Sequence, residues 1–283
     1  MSITLFSRSI ELPRVIGDRR QFRTILATLG RAISPSISLG IVGVIATLAI
    51  WQALLVLGWV DPRLMPGPVT VFVSALRMAS TGELFRHIGM SIFRAVAGLV
   101  CGATVGILFG LLTGRIKVFG YLTEPIAQLF RSIPAIAFVP LAIIWFGLGE
   151  QSILFLISFG VFFPVWINTL MGVKNVKPVY IRAAESLGVT REQLLRRVIF
   201  PAALPFIITG LRISVAIAYI MLAAAEMAGA RVGLGQLVQE SYLVFRTDRM
   251  LVGIVMLGVL GLISDRLFMA TVHRMFPWYG AEH

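Results

Sequence analysis

Residues 174–205, K-N-V-K-P-V-Y-I-R-A-A-E-S-L-G-V-T-R-E-Q-L-L-R-R-V-I-F-P-A-A-L-P, are the longest polar interruption between apolar blocks in the chain. Pro178 suits the first turn of a helix, where its missing N–H costs nothing. Val179–Leu187 continues that helix, and Gly188 can supply the left-handed residue that ends it. Thr190 with Gln193 reads as a capping box for a second short helix. Pro201 and Pro205 are expected to punctuate its end. The stretch therefore predicts helix, tight turn, helix, and it carries Lys174, Lys177, Arg182, Arg191, Arg196 and Arg197. Ala183 and Ala184 leave one face of the first helix nearly bare, so a partner surface could approach its backbone. The plainer alternative is an ordinary basic loop beside a membrane.

The blocks on either side set the class. Of 283 residues, 58% are hydrophobic and 13% charged. A soluble domain of that length does not need so much apolar surface, so the chain reads as an all-α polytopic membrane protein. About six transmembrane helices are expected, over 32–60, 95–114, 121–148, 152–173, 203–225 and 250–271. Residues 1–31 form a basic N-terminal arm, 32–272 the transmembrane domain with the loop 174–201 inside it, and 273–283 a tail. Six spans put both termini on one side, expected to be cytoplasmic. Seventeen Lys and Arg then fall on that side, seven on the other, and Arg212 within the membrane. This asymmetry explains the formal charge of +12 by the positive-inside rule, without nucleic acid. The expected location is a membrane, crossed many times.

Between the first two spans, residues 61–94 mix turns with apolar residues at helical spacing. They predict a short helix on the outer membrane surface, or one packed against the spans. In the second span Gly98, Gly102, Gly106, Gly110 and Gly114 recur every fourth residue. That spacing keeps them on one face and makes a groove in which another helix can lie closely. The partner could be a helix of the same chain or of a second copy. Pro125, Pro134 and Pro140 mark the third span as one where freed carbonyls are buried or line a cavity.

Candidate chemistry is sparse. No phosphate-cradling G-x-x-x-x-G-K-[ST], no H-E-x-x-H and no G-x-S-x-G occurs. The single Cys101 excludes an intrachain disulfide, and His87, His273 and His283 have no ligand spacing, so no metal site is expected. Glu124, Glu150, Glu226 and Asp265 read as span-end carboxylates, which disfavours an ion-coupled carrier and leaves no catalytic cluster. Arg212 is the one charge well inside a span, where arginine costs roughly 2.5–3.5 kcal/mol on insertion scales. It reads either as a cation beside a route for an anionic solute or as a side chain snorkelling to the interface. Ser214 and Tyr219 share its span and could line the same route.

Residues 182–201 resemble the signature loop of binding-protein-dependent ABC importer permeases, whose pattern is E-A-A, three residues, G, nine residues, I-x-L-P. Ala183, Ala184, Gly188 and Pro201 match in register, while Arg182, Val198 and Phe200 replace the acidic residue, Ile and Leu. The segments R-S-I-P-A-I-A-F-V-P-L-A-I-I-W-F-G-L-G, L-P-F-I-I-T-G-L-R and A-A-E-M-A-G-A-R-V-G-L-G are similar to the branch that imports nitrate, taurine and other sulfonates. The resemblance runs from about Ser91 to the C-terminus. It implies a permease subunit, not an enzyme, moving a small anionic or zwitterionic solute of sulfonate, taurine or nitrate type. It implies that Arg182, Ala183, Ala184, Gly188 and Pro201 form a coupling helix seated in a separate cytoplasmic ABC ATPase. It also implies a second permease copy, an external or periplasmic solute-binding protein, and ATP consumed by the partner with no cofactor on this chain. Arg182 in place of the acidic residue removes any salt bridge made through that acid. The alternative of another class is a self-contained secondary carrier or channel.

Overall fold

The structure, a computed structural model, describes residues 35–278; the basic arm and the last five residues lie outside them. It divides into two units, the first ending at Val60 and the second running from Asp61 onward. In the first unit the described element is α1 (Pro35–Val56). No strand occurs among the described residues.

The second unit begins with α2 (Pro68–Ser80), started by Pro68 after an extended Gly67. Val71, Ser74 and Met78 are its buried face at helical spacing. Gly82, at φ 76°, turns the chain into α3 (Glu83–Arg115). This helix starts twelve residues before the expected span, so the last third of the segment read as surface-bound belongs to a long helix. The third expected span is not one rod. It is α4 (Lys117–Ser132), a 3-10 turn (Ala135–Phe138) and α5 (Val139–Phe146). The two arms, Val118–Phe130 and Ala135–Phe146, meet at 88°. Pro134 lies at the break, where it cannot donate to the preceding turn and holds Ile133 extended.

The chain continues as α6 (Glu150–Lys174), α7 (Pro178–Ser186), α8 (Arg191–Leu194), a π turn (Leu195–Ile199) and α9 (Phe200–Gly229). The last described elements are α10 (Leu234–Leu243) and α11 (Thr247–Met275). α2 packs against α11, and Ser74 Oγ donates to Asp248 Oδ2 at 2.8 Å.

Pro201 and Pro205 do not end the second helix of the hairpin. The rod from Arg191 to Gly229 is continuous through both. A proline cannot donate to the fourth preceding carbonyl and crowds it. The wider π turn ahead of Pro201 takes up that misfit, and Phe200–Pro201 becomes the first turn of α9.

Among the described residues four helices are long and apolar enough to cross a membrane, α3, α6, the Arg191–Gly229 rod and α11; the bent pair makes five if it is one span. The remaining expected span, 32–60, holds α1, whose stretch Val42–Val56 counts as a shorter apolar helix.

α6 is the central rod. The glycine face of α3 lies directly on it. A Cβ on Gly98 would stand 2.5 Å from Ile157, on Gly106 2.9 Å from Val165, on Gly110 2.5 Å from Thr169 and on Gly114 2.6 Å from Val173. Gly102 meets the Ser158 carbonyl and Val161 in the same way. The partner of the glycine groove is thus this chain's own helix. On its other side α6 meets α9 through Gly160, Gly172 and Gly210. Ile153, Leu156, Ile157, Val161, Val165 and Leu222 fill the dry seam between these rods. Phe109, Phe162 and Trp166 pack edge-on or tilted where α3 and α6 run toward the hairpin, and Trp166 Nε1 donates to Thr113 Oγ1 at 3.0 Å.

Candidate functional site

The hairpin forms at one end of α6 as local sequence requires. Pro178 opens α7. The helix closes with Gly188 N–H donating to Glu185 O at 3.0 Å and Val189 N–H to Ala184 O at 3.4 Å. That crossed pair needs its first donor residue in the left-handed region, and Gly188 supplies it at φ 71°. The capping box is complete: Gln193 N–H donates to Thr190 Oγ1 at 3.3 Å, and Thr190 N–H to Gln193 Oε1 at 2.9 Å.

The hairpin has two distinct faces. Ala184, Leu194 and Ile199 turn inward onto Val173, Val176, Ala203 and Ile207. Ala183 faces outward while Ala184 is buried, so the two alanines do not share the bare face expected of them. Lys174, Lys177, Arg182, Arg191, Arg196 and Arg197 are all exposed. Leu187 beside Gly188 is 83% exposed, and Val179 and Tyr180 are also exposed. The outer surface is therefore a cationic rim with an apolar tip. Arg196 pairs with Glu192 at 3.0 Å, and Lys174 with Glu124 at 2.5 Å, both in the open. Pro201 sits where the hairpin becomes α9, so the basic surface and a membrane-length rod are one continuous piece of backbone.

At the opposite end of α6 lies a polar cluster that the sequence did not disclose. Arg94, counted from sequence among the outer charges, is 2% exposed, and Glu226 is 0%. Arg94 Nη1 donates to Glu226 Oε1 at 2.8 Å; its Nε donates to Glu150 Oε2 at 2.8 Å, and Nη2 closes the fork on Glu150 Oε1. Ser91 Oγ lies 2.9 Å from both Glu226 oxygens, and Gly235 N–H donates to Oε2 at 2.9 Å. Leu234 N–H donates to Ser91 Oγ. One carboxylate thus ties α3, α9 and the start of α10 together, and Arg94 extends the tie to α6. Gly233, at φ 149°, is where a Cβ would strike the Glu226 carboxylate. The signal in the sequence was Glu226 placed seven and nine residues before the two glycines of G-L-G, a loop able to wrap a carboxylate.

Beside this cluster an open cavity of about 610 Å³ is lined by Glu150, Arg231, Gln236, Gln239 and Glu240 among others. Among the described residues no three His, Cys, Asp or Glu side chains come close enough to hold a metal ion.

The residues expected along a route separate into two groups. Ser214 is buried, with its Oγ 3.3 Å from the Val161 carbonyl, so it faces α6. Arg212 and Tyr219 face α11. Arg212 Nε donates to Asp265 Oδ1 at 3.1 Å and Nη2 to Oδ2 at 3.4 Å, and the Tyr219 and Ser264 hydroxyls are 2.7 Å apart. Asp265 is therefore not at the end of its helix; ten residues of α11 follow it.

Residues 102–277 match the family model described as binding-protein-dependent transport system inner membrane component. The chain belongs to that family. This permease is 36% identical over 231 residues to the putative aliphatic sulfonates transport permease SsuC of Bacillus subtilis, covering 82% of its own length and 84% of the relative's. It is 35% identical over 253 residues to the taurine transport system permease TauC of Escherichia coli, covering 88% and 92%. It is 30% identical over 242 residues to the nitrate import permease NrtB of Synechocystis, covering 82% and 87%. Among solved structures it shares its fold with an amino acid ABC transporter chain at TM-score 0.57 and 17% identity, covering 72% of the permease and 96% of that chain. A chain of the MetNI methionine ABC transporter in an inward-facing form gives TM-score 0.52 and 24% identity, with 67% and 94% covered. The permease is thus an ABC permease of the sulfonate, taurine and nitrate branch, a multi-pass inner-membrane protein and not an enzyme.

Proposed function

We propose that the permease moves a small anionic or zwitterionic solute, of sulfonate, taurine or nitrate type, across the inner membrane, driven by a separate cytoplasmic ABC ATPase. The observation that carries this reading is the exposed hairpin, with its basic rim and Leu187 tip, built on the same rod that crosses the membrane. The second helix of the hairpin is the first part of the Arg191–Gly229 rod, so a push on the hairpin is delivered to α9 through that helix. Arg182, Ala183 and Gly188 form the contact with the ATPase, Ala184 seats the hairpin from inside, and Pro201 marks the junction. ATP is bound and consumed by the partner, and this chain holds no cofactor.

In this reading the basic arm, the hairpin and the tail are cytoplasmic, and residues 32–272 are the transmembrane domain. A second copy completes the route. A solute-binding protein docks at the end where Arg94, Glu150 and Glu226 lock four helices together. A docking face needs a fixed shape, and the buried Arg94–Glu226 pair, with Glu150 joining it at the exposed rim, provides one.

The test is reconstitution of the chain with its co-expressed ATPase and binding protein, followed by a screen of sulfonates, taurine and nitrate for stimulated ATP turnover. At least one of these solutes is expected to raise turnover severalfold. A rate that ignores all of them while the three components co-purify would contradict the proposal.

A further inference from the structure

The Arg212–Asp265 pair lies level with the middle of α6, a rod long and apolar enough to cross a membrane. Ser214 touches the carbonyl of Val161, which is eleven residues from Glu150 and thirteen from Lys174 in α6. Arg212 is two residues from Ser214, about 3 Å along the axis at ~1.5 Å per residue. A guanidinium at that depth must face protein or water. Tyr219, seven residues on, shares its face of α9, and Ser264 adjoins Asp265 on α11. The four side chains make one polar patch across two rods.

This patch differs from the cluster at the end of the rods. There Arg94 and Glu226 are 2% and 0% exposed and fully enclosed. Here Arg212 remains 54% exposed and Asp265 32%, with donor distances of 3.1 and 3.4 Å. A closed pair staples helices; an open pair can exchange partners. The planar fork of Arg212 already holds two carboxylate oxygens, and it would grip two oxygens of a sulfonate or carboxylate in the same way.

Exchange with a simple anion would leave the Asp265 carboxylate beside a second negative charge. A solute carrying its own ammonium removes that conflict, since its oxyanion can take Arg212 while its ammonium takes Asp265. The Tyr219 and Ser264 hydroxyls, bonded to each other between the same two rods, are further groups able to bond an oxyanion.

We infer that Arg212 and Asp265 form a mid-membrane contact for a small zwitterion bearing an oxyanion and an ammonium, the two residues pairing with each other when no solute is present. This rests on the proposed role as importer of an anionic or zwitterionic solute, and adds Asp265 as the residue that selects the zwitterion. The pairing also keeps the hold weak, because the departing solute is replaced by an internal ion, as conduction requires.

The probes are taurine and its hydroxyl counterpart isethionate, in proteoliposomes holding the full complex. The binding protein is common to all variants, so its own preference cancels in the comparison. Wild type is expected to take up taurine faster, Asp265→Asn to lose at least tenfold of that preference while still carrying isethionate, and Asp265→Glu to keep it. A preference in Asp265→Asn within twofold of wild type overturns the inference. Should Asp265→Asn not assemble, Arg212→Lys decides. It keeps the charge but loses the fork, so uptake of both solutes should fall at least fivefold at an unchanged ratio, and wild-type rates would overturn the assignment. ATP-driven uptake of none of these solutes by wild type sinks the transport reading itself, a separate result.

Discussion

Gly188 and Glu226 are the two residues on which most depends, for opposite reasons. Gly188 is open on all sides, with nothing within 4 Å of an added Cβ, yet its φ of 71° strains any L side chain. The cost is of order 1–2 kcal/mol and is greater for a β-branched residue. Gly188→Val should therefore leave the protein in the membrane but reshape the hairpin tip. Solute uptake is expected to fall at least tenfold while ATP turnover in the complex loses its solute dependence; normal solute-stimulated uptake would remove the coupling role. Glu226 is enclosed and bonded on all sides. Glu226→Gln strips the charge from a buried pair and leaves Arg94 only the half-exposed Glu150; removing one partner of a buried pair costs up to about 3–5 kcal/mol. Glu124→Gln, at the exposed pair with Lys174, should cost less than about 1 kcal/mol. Thermal unfolding in detergent checks the contrast: a drop of several degrees for the first and almost none for the second. Sequence reading found Gly188, because a helix stop is a local event. It read Glu226 as a span-end carboxylate and Arg94 as an outer charge without joining them, because charges at the edge of an apolar block look alike whether they face water or one another.

The helices show the same division between local and non-local information. The glycine face of α3 was legible as a groove, since its period is written in the chain. Its occupant was not, since identifying α6 required knowing which rod lies alongside. A paired substitution tests the packing. Gly102→Ala would drive a methyl group into the Ser158 carbonyl and Val161, with an expected cost of about 1–3 kcal/mol. Gly89→Ala lies on the same helix with nothing within 4 Å, and should be neutral or stabilising by up to about 1 kcal/mol. Equal melting temperatures for the two variants would mean that α3 does not lie on α6 as described. Prolines were read less well. Pro134 does break its span, at an angle no residue count could supply, whereas Pro201 and Pro205 do not end theirs. The difference is the π turn at Leu195–Ile199, which makes room for Pro201 inside a continuous rod and has no sequence signature of its own.

For the whole molecule the all-helical membrane class followed from composition, and the basic surplus predicts the hairpin on the same side as the termini. That placement has a direct test. With Cys101 replaced by Ser, a cysteine introduced as Ser186→Cys should resist a membrane-impermeant thiol reagent in intact cells and react after permeabilisation. Labelling in intact cells would put the hairpin outside and separate it from any cytoplasmic ATPase. The central claim is that this chain is a conduit whose work is done by a nucleotide-consuming partner through the hairpin. Taurine uptake into proteoliposomes, measured for the chain alone and for the chain with its ATPase and binding protein, tests it most directly. Uptake is expected only with all components and ATP; uptake by the chain alone, at a rate that ATP does not change, would contradict it.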